Sequence, residues 1–125
     1  MDDAAAEPGV EGFLAGLRRC GLDPVTKSGV VTFDVTPCHG ALAGQRVQSG
    51  VAVAELAMWP AAPPHWIHLP AVIHLSPTNI NTEETLAGWV RHSRQVTGWG
   101  DAAEPAQAWL AHVRSVLESA VRGAA

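Results

Sequence analysis

The sequence predicts an α+β domain: an N-terminal helix, an antiparallel meander of about four strands, a proline-rich step, a long irregular segment and a C-terminal helix. Three observations carry this. Val10, Phe13, Leu14 and Leu17 fall at i, i+3, i+4 and i+7, the stripe of a short amphipathic helix. Val30 to Thr36 alternates Val31, Phe33 and Val35 with Thr32, Asp34 and Thr36, as a half-buried strand does. Trp109, Val113, Val116, Leu117 and Ala120 share one helical face, with Glu118 on the other.

Each element has its own punctuation. Gly21 and Pro24 stop the first helix, and Arg18 and Arg19 suit the negative end of its dipole. Gly40 and Gly44 mark the loop after the first strand. A second strand is expected within Val47–Met58, interrupted near Gly50. His65–Leu69 and Ala71–Leu75 are short apolar runs bounded by proline, which fit further strands or extended loop. Residues 76–84 form a polar loop, and 85–99 can be read as helix or as ordered loop. Pro105 opens the last helix, where its missing N–H costs nothing, and Gly123 closes it.

With 125 residues the chain is about one domain, expected over residues 9–122 behind an acidic, disordered tail at 1–8. Its 47% hydrophobic and 16% charged composition excludes a coiled coil, collagen and wholesale disorder. The net charge of -4 belongs to Asp2, Asp3, Glu7 and Glu11. The neutral body that remains offers no basic field for nucleic acid or an anionic membrane. Between Glu55 and Glu83 no residue is charged, but Pro60, Pro63, Pro64, Pro70 and Pro77 rule out a spanning helix there. No secretory signal is visible, so a cytoplasmic protein is expected.

Cys20 and Cys38 are too few for a disulfide framework and read as two buried thiols, with one disulfide as the alternative. The six histidines have no HExxH spacing and no nearby cysteine, so no metal site or cofactor is expected. Cys38-His39 is an adjacent pair in which the imidazole could lower the thiol's pKa, although neighbours on extended chain point apart. Trp89-Val90-Arg91-His92-Ser93-Arg94, followed by Trp99, reads either as a basic turn anchored by tryptophans or as a contact surface. Trp and Arg dominate binding hot spots, and both readings can hold together.

Taken in order, the helix, the two strands, Trp59-Pro60-Ala61-Ala62-Pro63-Pro64, the next strand, the irregular segment and the terminal helix resemble the ubiquitin-conjugating enzyme (UBC) fold. More narrowly, the Gly88–Arg94 run with Trp99 and the stretch Trp109–Leu117 is similar to prokaryotic family E of that superfamily, over most of residues 10–122. The resemblance implies association with a ubiquitin-like protein or its activating enzyme, in a bacterial modification or defence system. It implies structural roles for Pro63 and Pro64, and contact roles for Trp89, Arg91, His92, Arg94 and Trp99.

The family's enzymes carry their modifier on a cysteine shortly after a His-Pro-Asn element. Here His74, Pro77 and Asn79 are not contiguous, and no cysteine follows Cys38. An adaptor without the usual catalytic cysteine is therefore expected. The alternatives are a conjugating-type enzyme with a displaced nucleophile, on Cys38 with His39 or on an oxygen near His92, and a structural subunit unrelated to modifier chemistry.

Overall fold

The computed structural model describes residues 8–75, 79–100 and 103–123. The acidic tail lies outside the described residues except for Pro8, the N-cap of the first helix, and so do residues 76–78 of the polar loop.

Helix α1 spans Gly9–Arg19 and buries Phe13 and Leu17, with Val10 and Leu14 half-buried beside them. It ends at Cys20, where Gly21 takes a φ of 88°. Strands β1 (Val25–Lys27), β2 (Val30–Val35), β3 (Val47–Ala52) and β4 (Trp66–Pro70) follow as an antiparallel meander. Two short strands, β5 (Ile73–His74) and β6 (Ile80–Asn81), precede β7 (Trp89–Ser93). Helix α2 covers Pro105–Leu117, and β8 (Val121–Arg122) pairs with β5. The main sheet has six antiparallel strands in the order β1-β2-β3-β4-β7-β6, so the class is α+β as expected.

Register assigns the two faces. Val31 faces Val51, Phe33 faces Ser49, Ile67 faces His92 and Leu69 faces Val90. These side chains point towards the helices, because residues opposite one another across a ladder share a face. Phe13 meets Phe33 edge-on at 6.0 Å and Trp59 at 4.8 Å, while Trp109, Val113 and Leu117 of α2 join the same core. Each such fully buried aromatic or aliphatic side chain contributes roughly 1.5–3 kcal/mol of transfer free energy. Glu104 caps α2 by accepting from the Ala106 N–H, and the same carboxylate meets Arg19 of α1 at 2.7 Å.

The structure corrects four expectations. β3 runs through Gly50 without interruption and stops at Ala52, after which Val53–Leu56 coils into a 3-10 turn that sends Leu56 into the core. Ile80–Asn81, inside the expected polar loop, pairs with β7 as strand β6. Residues 85–99 hold strand β7, where helix or loop was expected. Helix α2 ends at Leu117, and Gly123 follows β8 instead of closing the helix. The Pro-rich step carries a cis bond at Trp59-Pro60, with Pro63 half-buried and Pro64 buried ahead of β4. Among the described residues, no helix is long and apolar enough to cross a membrane.

Candidate functional site

Chemistry-bearing side chains concentrate where β4 and β7 pair. Trp66 lies opposite Ser93, His68 opposite Arg91 and Pro70 opposite Trp89, so all six share the sheet face turned away from the core. Gly50 makes room for them. A Cβ there would stand 3.3 Å from the Trp89 ring, 3.3 Å from His68 Cβ and 2.9 Å from Val30 Cγ1. Arg91 stacks its guanidinium 4.3 Å over the Trp66 ring and donates from Nε to Asn81 Oδ1 at 2.6 Å. Glu83 and Glu84 approach it at 3.9 and 3.7 Å. The His65 ring hydrogen-bonds the Ser93 hydroxyl and meets Trp66 edge-on.

Within that face His68 is fully buried. Its Nδ1 lies 2.7 Å from Thr85 Oγ1, and its Nε2 lies 3.8 Å from Glu55 Oε2. Glu55, on the 3-10 turn, accepts the backbone N–H groups of His65 at 2.8 Å and Trp66 at 3.2 Å through its other oxygen. Burial pushes the Glu55 carboxyl up. The nearby His68 ring and the backbone N–H groups of His65 and Trp66 outweigh it, and the group titrates below the usual carboxylate value. Glu55 is thus an ionised carboxylate facing a buried imidazole, with a hydroxyl on the imidazole's far side.

His92 belongs to the opposite face, as its pairing with Ile67 dictates. It is 4% exposed and borders an apolar cavity of about 420 Å³ formed with Ala71, Ile73, His74, Leu75, Ile80 and Val90. Among the described residues neither ring nitrogen has a hydrogen-bond partner. Burial lowers the pKa of His92, and the charges of Arg94, His74 and His68 lower it further. Burial and Arg94 lower His112 on α2 in the same direction.

Both histidines therefore bind a proton less readily folded than unfolded. Stability is fully present above the unfolded value of about 6.5 and is lost as pH falls below it towards the folded values. Thermal melts between about pH 7.5 and pH 5.5 should show a falling Tm. A His92→Leu variant, which keeps the apolar volume without the titrating ring, should show a shallower fall. An unchanged slope in that variant would remove His92 from this account.

The remaining sequence candidates scatter. Cys38 and His39 are exposed on the loop between β2 and β3, so the expectation of two buried thiols fails at Cys38. The loop buries Pro37 and Leu42 and leaves Cys38 and His39 between them in solvent. Cys20 is half-buried at the end of α1, and burial and the Glu104 charge push its thiol up against the opposing effect of Arg19. Both thiols are free. Trp99 leans on Trp59 at 5.4 Å and donates its indole N–H to the Pro60 carbonyl at 2.9 Å, which makes it an anchor for the segment after β7. Arg94 gives its backbone N–H to the His65 carbonyl, while its Nε is buried without a hydrogen-bond partner among the described residues. Among the described residues, no group of three or more His, Cys, Asp or Glu side chains is placed to hold a metal ion.

The structure thus brings Trp89 and Arg91 together, puts His92 behind them, and separates Trp99 from the group. Trp66, Glu55, His68 and Thr85 complete the face, and sequence reasoning did not select them. In comparisons with known proteins, no family model, no curated protein and no solved structure matches this chain.

Proposed function

We propose that the chain is a cytoplasmic adaptor of the ubiquitin-conjugating-enzyme-like type, resembling prokaryotic family E. In this reading it binds a ubiquitin-like protein or its activating machinery in a bacterial modification or defence system, without a cysteine thioester. One observation carries it: Trp66, Trp89 and Arg91 stand together on one sheet face, while Cys20 and Cys38 lie at the end of α1 and on the β2–β3 loop. Large aromatic rings beside a guanidinium are the residue types that concentrate protein-binding energy. The helix, the meander, the Pro-rich step and the terminal helix add support from the order of elements.

The test mixes the protein with a ubiquitin-like protein, its activating enzyme and ATP. A non-covalent complex is expected, weakened about 30-fold or more by Trp89→Ala, since truncating a hot-spot tryptophan costs about 2 kcal/mol or more. A matched Tm for the variant separates lost contact from lost fold. An adduct released by thiol reductant would overturn the adaptor reading, and its loss in Cys38→Ser would move the activity to that cysteine.

A further inference from the structure

We propose that Thr85 is a nucleophile: its hydroxyl, activated by His68 with Glu55 behind it, takes an acyl group from an activated ester or thioester. The chain of atoms is Glu55 Oε2, His68 Nε2 at 3.8 Å, then His68 Nδ1 and Thr85 Oγ1 at 2.7 Å. It has the order of a carboxylate–imidazole–hydroxyl triad, which is recognised by geometry and role on unrelated folds.

The protonation pattern follows from the partners. A carboxylate only accepts, so the imidazole nitrogen facing Glu55 carries the hydrogen. Nδ1 is then the lone-pair nitrogen, and the Thr85 O–H must donate to it. That is the arrangement a general base needs before it takes a proton. Among the described residues Glu55 Oε2 and His68 Nε2 are both buried without a hydrogen-bond partner, so nothing there competes with closing of the 3.8 Å gap when charge develops on the ring.

The loop around Thr85 is built to hold it. Glu84, immediately before it, has a φ of 51°, in the left-handed region that non-glycine residues rarely adopt and that clusters at functional sites. Asn81 Oδ1 accepts both the Glu83 N–H at 3.0 Å and Arg91 Nε at 2.6 Å, which ties this loop to β7. Thr85 itself is only half-buried, whereas His68 is sealed from water.

In the step, Thr85 Oγ1 attacks the acyl carbonyl carbon and its proton moves to His68 Nδ1. Glu55 stabilises the imidazolium. The tetrahedral adduct then collapses, breaking the acyl–oxygen or acyl–sulfur bond, and the departing alkoxide or thiolate takes the proton from Nδ1. The products are an ester on Thr85 and a free alcohol or thiol, with no oxidant or reductant involved. This goes beyond the adaptor reading and does not rest on it, because a small ester needs no partner protein.

The experiment treats the full chain with p-nitrophenyl acetate, follows nitrophenolate release and maps the acetyl group by peptide mass spectrometry. The expected result is an acetyl ester on Thr85, stable to thiol reductant and cleaved by hydroxylamine. Thr85→Ser should keep it and Thr85→Val should lose it. Glu55→Gln, which can still accept the two backbone N–H groups, should slow acetylation by about 100-fold, because the general base His68 loses the carboxylate that stabilises its imidazolium. A Thr85 that only satisfies the buried imidazole predicts no acetyl group at this position and equal nitrophenolate release from wild type and Thr85→Val. Acetylation confined to other residues also overturns the proposal. The wild-type peptide map decides even where Thr85→Val fails to fold.

Discussion

Replacing Trp109 by alanine should lower the unfolding free energy by about 3–5 kcal/mol, the usual cost of removing a large aromatic side chain from a packed core. Trp109 is fully buried on α2, in the same apolar cluster as Phe13, Val31, Ile67 and Val113, so the lost ring leaves a cavity that both helices and the sheet would have to collapse to fill. Its indole Nε1 is buried without a hydrogen-bond partner among the described residues. An unsatisfied buried donor costs about 1–3 kcal/mol, and Trp109→Phe removes that donor while keeping an aromatic ring. The phenylalanine variant should therefore lose much less stability than the alanine variant. Urea titration of the three proteins measures both differences. Equal losses for phenylalanine and alanine would mean that the indole N–H has a partner after all.

The two helices were legible because each buries one face and wets the other, so the apolar period survives in the sequence. β2 was legible because Val31, Phe33 and Val35 alternate with Thr32 and Asp34 by residue type, although only Asp34 of the strand is exposed. β7 was not, because its residue types do not follow its two partly covered faces. Val90 and His92 turn towards the core, and Trp89 and Arg91 turn towards Trp66 and the loop that carries Glu83 and Glu84. With a histidine on the inner face and an arginine under the loop, polarity no longer alternates with direction. β1 was missed for the opposite reason, since Val25, Thr26 and Lys27 are all exposed and no burial pattern exists to read. Val47–Ala52 was found, but its end was not. The apolar run continues past Ala52 into a 3-10 turn, and composition alone does not separate a buried turn from a buried strand.

The site divides along the same line. Trp89 and Arg91 announce themselves within one short run, whereas Glu55, His68 and Thr85 come from a 3-10 turn, a strand and a loop. No spacing rule links residues from three separate segments. Only the register of β3, β4 and β7, with the close approach at Gly50, brings them onto one face. In the sequence His68 is one of six histidines without metal-ligand spacing, and its hydrogen bond to Thr85 alone would not set it apart. What the sequence could not carry is the carboxylate on the other side.

Gly40→Ala should be the most damaging change outside the core, at about 2–4 kcal/mol, because two separate costs meet at one Cβ. Gly40 has a φ of 88°, a conformation that costs an L side chain about 1 kcal/mol or more. The added methyl would also stand 2.1 Å from the carbonyl oxygen of Glu118 and 3.0 Å from its carbonyl carbon. That neighbour is backbone at the end of α2, so no rotamer change relieves the overlap; the β2–β3 loop must lift away from the helix. Leu42, on that loop and 2% exposed, would be drawn out of the core with it. Gly44 separates the two costs. Its φ is 78°, but a Cβ there meets nothing within 4 Å, so Gly44→Ala should show the backbone cost alone, about 1 kcal/mol. Denaturant midpoints for the two variants give the comparison directly. If Gly40→Ala were no worse than Gly44→Ala, the loop would not be seated on the end of α2, and the burial of Leu42 would need another cause.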